Sequence, residues 1–189
     1  MTQGDNLVLI GMPGSGKSTV GRLLAERLGC DFVDTDSLVE TARGQSLQAI
    51  VDQEGPEGVL LAEEEQACAL DCHNAVIATG GSMVYSERAM TALRRQGTVV
   101  WLDVPLPTLQ ARVGAGSDRG LAMRPDQDLA DLAEERLPLY ARHADIHVRC
   151  EPDSSTDRVA SDVIRQLGAI SRCTEQTALE RFLRGGVTD

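Results

Sequence analysis

Gly11-Met12-Pro13-Gly14-Ser15-Gly16-Lys17-Ser18-Thr19 is the stretch from which the rest of the chain is read. It fills every fixed position of a G-x-x-x-x-G-K-[ST] phosphate loop. The preceding Asn6-Leu7-Val8-Leu9-Ile10 is a short apolar run that reads as a buried parallel strand. After the loop, Val20, Leu23, Leu24 and Leu28 recur at helical spacing. In that strand–loop–helix setting the backbone N–H groups of Gly14, Ser15, Gly16, Lys17, Ser18 and Thr19 turn inward on phosphate oxygens, and the helix dipole adds positive potential. Lys17 is expected to face solvent and reach the β- and γ-phosphates, and the Ser18 hydroxyl to ligate Mg²⁺. A plain tight turn would need neither the lysine nor the hydroxyl. The stretch predicts a site for a nucleoside triphosphate.

Length and charge narrow the setting. The 189 residues suit a single domain with a full core. With 18 basic against 29 acidic residues the net charge is −11, which argues against a nucleic-acid partner. No apolar run approaches the ~20 residues of a membrane span, and Met1-Thr2-Gln3-Gly4-Asp5 lacks the basic-then-apolar order of an export signal. A cytoplasmic monomer is expected. The five cysteines, at 30, 68, 72, 150 and 173, contain no C-x-x-C and read as unpaired thiols. Cys68 and Cys72 are expected on one buried helix face, and His143, Asp145 and His147 on alternate sides of a surface strand. No metal is expected beyond nucleotide-bound Mg²⁺.

Strands and helices then alternate along the chain. A second strand, Cys30 to Asp34, runs into Thr35-Asp36, and Ser37 and Glu40 have capping-box spacing for a helix start. Asp34 and Asp36 therefore fall where a strand ends and a helix begins, the edge at which open α/β sheets bind ligands. Short helices are expected around Leu47 to Val51 and, beyond Gly55-Pro56, from Val59 to Leu70. Further strands are Ala75 to Thr79, Thr98 to Asp103 and Ile146 to Val148, with helices over Ser86–Arg95, around Leu109, and over Leu129–Arg142. The expected fold is an α/β three-layer sandwich, a five-stranded parallel sheet flanked by helices in one domain spanning 1–189. The glycine-rich stretch from Gly114 to Asp126 reads as a mobile lid loop, and 173–189 as an extra helical tail.

These residues resemble the shikimate kinase family of small P-loop kinases. The likeness rests on Gly11–Thr19 with Gly21-Arg22 and Leu24-Ala25, on Asp34-Thr35-Asp36, on Ala78-Thr79-Gly80-Gly81, on Val99–Asp103, and on Arg136 before Pro138-Leu139-Tyr140. It spans residues 6 to 150. The resemblance implies ATP as phosphoryl donor, Mg²⁺ as cofactor and a small hydroxylated carboxylate as acceptor, in aromatic amino-acid biosynthesis. It implies that Asp34 helps hold the Mg²⁺ shell and that Asp36 contacts the acceptor hydroxyl and takes its proton; otherwise the pair would be simple helix caps. Arg119 matches a lid arginine over the γ-phosphate, and Arg112 an arginine stacked on adenine; otherwise both are solvated surface residues. Arg136 matches the arginine that binds the substrate carboxylate, with a helix-surface charge as the alternative. Its planar fork suits a carboxylate. Gly80 and Gly81 would bring backbone amides to the acceptor.

The departures all lie on the acceptor side. Leu60 stands where the family has a second substrate arginine, while Glu63, that arginine's partner, is retained. Ser82 replaces a third glycine, and the lid reads Arg119-Gly120-Leu121-Ala122. Three function classes follow: a shikimate kinase with an altered carboxylate clamp, a related kinase for another hydroxy acid or an amino acid such as homoserine, and a non-catalytic nucleotide-binding module. The lysine, hydroxyl, aspartates and lid arginine argue against the third.

Overall fold

A computed structural model of the chain describes residues 5–114 and 127–169. Arg119, nearly all of the expected lid and the 173–189 tail lie outside the described residues.

Five strands, β1 (Asn6–Ile10), β2 (Asp31–Asp34), β3 (Ala75–Ala78), β4 (Gly97–Asp103) and β5 (Ile146–Arg149), form one parallel sheet in the order β2-β3-β1-β4-β5. Leu9 pairs with Ala78 on one side and with Val100 on the other, so β1 is central. Strands covered on both faces need continuous apolar side chains, and β1 and β3 are buried at every position. Asn6 is the polar exception. Its amide donates 2.7 Å to the Cys72 carbonyl and accepts 2.9 Å from the Ala75 N–H, so it satisfies itself while pinning the entry to β3.

The helices are α1 (Lys17–Leu28), α2 (Thr35–Arg43), α3 (Leu47–Ala69), α4 (Glu87–Gln96), α5 (Leu106–Gly114), α6 (Leu129–His143) and α7 (156–169), with a 3₁₀ turn at Met83–Tyr85. The two expected helices on either side of Gly55-Pro56 meet as one kinked element, with Gly55 at φ 75° and ψ −178°. Val39, Leu47, Ile50, Val59 and Ala62 form a small second core between α2 and α3, apart from the main one around the sheet. That small core sets where the next inward residue of α3, Glu63, points.

Three local expectations are corrected. Helix α2 begins at Thr35 and is capped by Asp34, whose Oδ1 accepts 3.1 Å from the Asp36 N–H; the Ser37–Glu40 spacing is not used as a capping box. Glu40 instead accepts from the Leu47 N–H across the α2–α3 turn. Cys68 is exposed on α3 and Cys72 lies beyond its end, so they do not share a buried face. His143 ends α6 and is buried, whereas His147 is exposed on edge strand β5, stacked on Trp101 and bonded to Asp103. Among the described residues no helix is long and apolar enough to cross a membrane.

Candidate active site

The sheet order changes direction at β1, whose neighbours β3 and β4 follow in opposite senses, and a crevice opens at the carboxyl ends of these strands. It is a cleft of ≈ 470 Å³, lined at one end by the phosphate loop and at the other by Asp36, Glu63, Gly80 to Ser82 and Arg136.

The phosphate loop turns tightly because Gly14 and Gly16 take φ of 78° and 90°, a region side chains rarely occupy. Ser15 N–H closes the turn on the Met12 carbonyl at 3.1 Å. The first turn of α1 then follows with its orphan amides directed at the cleft. Lys17 is 9% exposed rather than solvent-facing: its stem is packed and its Nζ donates to the Gly11 carbonyl at 2.8 Å and the Met12 carbonyl at 3.0 Å. Burial lowers its pKa to about 8, partly countered by Asp36. Such an ammonium is weakly solvated and gains most from an anion placed beside it. Arg112 of α5 donates from Nη1 to the Gly14 carbonyl at 3.2 Å, which sets the guanidinium against the loop. Ser18 and Thr19 line the same end.

The other end is assembled from three elements. Asp36 enters from the first turn of α2. Glu63 enters from α3, 2% exposed, with Oε2 accepting 2.6 Å from the Ser82 hydroxyl. Burial raises the Glu63 pKa to about 7. Arg136 enters from α6, 1% exposed, with its Nε 3.3 Å from the Tyr85 hydroxyl and its guanidinium carbon 5.0 Å from that ring's centre. The Gly80-Gly81 turn sits between these groups. A Cβ on Gly80 would overlap the Glu63 carboxylate and stand 2.8 Å from Asp36 Oδ1, and one on Gly81 would lie 3.1 Å from Arg136 Nη1. The Gly80 N–H is not turned to the cleft: it donates 3.1 Å to Thr35 Oγ1. The Gly81 carbonyl accepts 2.6 Å from the Tyr140 hydroxyl.

The structure therefore gathers Gly14 to Thr19, Arg112, Asp36, Glu63, Gly80, Gly81 and Arg136 around one cleft. Asp34 stays one step back as the α2 cap, near enough for its charge to raise the Lys17 pKa. Leu60 is half-buried one turn before Glu63. Thr35 and Tyr140 stand in the quoted motifs but were given no role from sequence, and Tyr85 was not singled out. Tyr140 stands four residues after Arg136, one helical face, which is a usable signal; Tyr85 carries none. Anion-binding amides and a lysine at one end, with carboxylates and a buried guanidinium at the other, fit phosphoryl transfer between a polyphosphate and a small anionic alcohol.

Comparison with known proteins agrees with this arrangement. Residues 13–168 match the family described as shikimate kinase. The shikimate kinase of Symbiobacterium thermophilum is 44% identical over 169 residues, covering 86% of this chain and 95% of that protein. Among solved structures, the fold is similar to the shikimate kinase from Acinetobacter baumannii in complex with shikimate, with TM-score 0.80, 30% identity and coverage of 88% of this chain and 94% of that one. The shikimate kinase from Aquifex aeolicus follows with TM-score 0.75, 32% identity and coverage of 88% and 98%. With a P-loop kinase fold and matches of this extent, the chain belongs to the shikimate kinase family, small-molecule phosphotransferases acting on a hydroxyl group.

Proposed function

We propose that the chain transfers the γ-phosphoryl group of ATP to a hydroxyl of shikimate, giving shikimate 3-phosphate, a step of aromatic amino-acid biosynthesis. The observation that carries this is Arg136, a guanidinium only 1% exposed, lining the same cleft as Lys17 and Asp36. The planar guanidinium fork matches one carboxylate with two parallel, charge-assisted bonds. With the substrate carboxylate there, its hydroxyl side is directed to Asp36, which orients the hydroxyl and accepts its proton as the new P–O bond forms. Lys17 and the loop amides neutralise charge on the transferred group. Arg112 flanks the base, and Arg119, outside the described residues, acts from the lid. Bound Mg²⁺ supplies charge neutralisation at the phosphates; Ser18 on the cleft wall and the Asp34 carboxylate are the hard oxygen donors that would hold it and its waters.

Glu63 bears on the choice of acceptor. The Ser82 hydroxyl gives this carboxylate a partner within the protein, so no ammonium on the substrate is called for, and shikimate is favoured over homoserine. The cytoplasm, where thiols stay reduced, suits the four described cysteines, all free. The test is a split in kinetics. Asp36→Asn is expected to depress kcat at least 10²-fold. Arg136→Lys is expected to raise the KM for shikimate about tenfold or more with the KM for ATP unchanged. Equal effects on both substrates from Arg136→Lys would refute the assignment.

A further inference from the structure

Glu63 is a buried carboxylate whose bonding partner is a hydroxyl. Its α3 neighbour one turn back, three residues away on the same helical face, is the position from which a cation would reach it, and that position holds Leu60. The donor comes instead from a different element: Ser82 Oγ, 4% exposed, just before the 3₁₀ turn, at 2.6 Å. The charged groups facing Glu63 from the other elements are Lys17 on α1, Asp36 on α2 and Arg136 on α6; Lys17 and Arg136 favour its ionised form and Asp36 opposes it. The position of Glu63 matters to the cleft, because its carboxylate and Asp36 Oδ1 together fill the space where a Gly80 side chain would be.

We propose that Ser82 is a positioning residue: its hydroxyl holds the Glu63 carboxylate where a cation on α3 would otherwise hold it, and thereby fixes the acceptor wall made by Glu63, Asp36 and the Gly80-Gly81 turn. With the apolar Leu60 one turn back on α3, the bond that holds the Glu63 carboxylate comes from the turn after β3. A buried carboxylate deprived of this bond must either take up a proton or swing away, and either change reshapes the surface the acceptor meets.

The consequence for shikimate rests on the functional reading above; the bond to Glu63 does not. The experiment therefore has two readouts on the full chain and its Ser82→Ala variant. With Glu side chains labelled by ¹³C at the carboxyl, the Glu63 titration midpoint, expected near 7 in the wild type, is expected to rise by about one pH unit in Ser82→Ala, since a hydrogen bond to the charged form is lost. In steady-state kinetics the KM for shikimate is expected to rise about tenfold, with the KM for ATP unmoved. Adding Leu60→Arg to Ser82→Ala is expected to bring both values back toward wild type, which a merely structural role for Ser82 would not allow. An unchanged Glu63 midpoint overturns the proposal whatever the acceptor. A raised midpoint with an unchanged shikimate KM, in a wild type that turns shikimate over, overturns the positioning role. A wild type inert toward shikimate sinks the acceptor assignment alone, and the titration still decides the Ser82 bond.

Discussion

Gly80→Ala isolates the geometry of the acceptor wall. Gly80 is not among the positive-φ glycines, so alanine meets no backbone obstacle there. What it meets is side chain. The new Cβ overlaps the Glu63 carboxylate and stands 2.8 Å from Asp36 Oδ1, where ordinary contact starts at 3.4 Å. Asp36 must therefore withdraw by about 0.6 Å, and Glu63 by more, in a site where a misplacement near 1 Å costs about 10²-fold. Glu63 has no slack: it is 2% exposed, held by Ser82 and backed by the α2–α3 core. We expect kcat to fall about 10- to 10²-fold. Overpacking should also cost about 1–3 kcal/mol of stability, seen as a Tm lower by about 3–10 °C. ATP affinity should be unchanged, because the phosphate loop is not touched. Coupled detection of ADP release gives kcat, calorimetry gives ATP binding, and a thermal melt gives Tm. A folded Gly80→Ala enzyme with kcat within about twofold of wild type would refute the placement of Asp36 and Glu63 around this turn.

Two further outcomes follow from the buried charges. Lys17→Ala is expected to lower kcat by about 10²–10³ or more with the circular dichroism spectrum retained, and near-normal turnover would contradict the role given to the loop lysine. Glu63 has a folded-state pKa of about 7 against an ordinary 4.5, so the folded chain holds that proton more tightly than the unfolded chain. Its contribution to stability is fully present below pH 4.5 and is lost as pH rises to about 7. Glu63→Gln, which cannot titrate, should therefore gain on wild type across that window by up to about 3 kcal/mol, measured as the difference in urea unfolding free energy at each pH; a difference flat with pH would count against it.

The fold was legible because its central strands β1, β3 and β4 are apolar runs, and a parallel sheet covered on both faces requires such runs there. The phosphate loop was legible because its residue types and spacing are dictated by chemistry, whereas Asp36 and Arg136 were singled out by resemblance to the family's motifs. The order of the strands was not, since it is set by long-range pairing between β1, β3 and β4. Local competition misled in smaller ways. Ser37 and Glu40 had the spacing of a cap, but Asp34 stands earlier and already accepts the Asp36 N–H. His143 looked like part of a strand because the two-residue alternation continues backward from β5 into the end of α6. Lys17 was expected in solvent, whereas its stem lies packed and its head caps the loop carbonyls. The pairing of Ser82 with Glu63 joins residues 19 positions apart on different elements, and no local pattern announces it.

The most direct measurement is ATP turnover by the purified chain with shikimate and with homoserine as separate acceptors. We expect shikimate to support turnover with kcat/KM of ~10⁴ M⁻¹s⁻¹ or above and homoserine to give none. Turnover with homoserine and none with shikimate would contradict the account, and would mean that the acceptor end, with Leu60 in α3, recognises an ammonium.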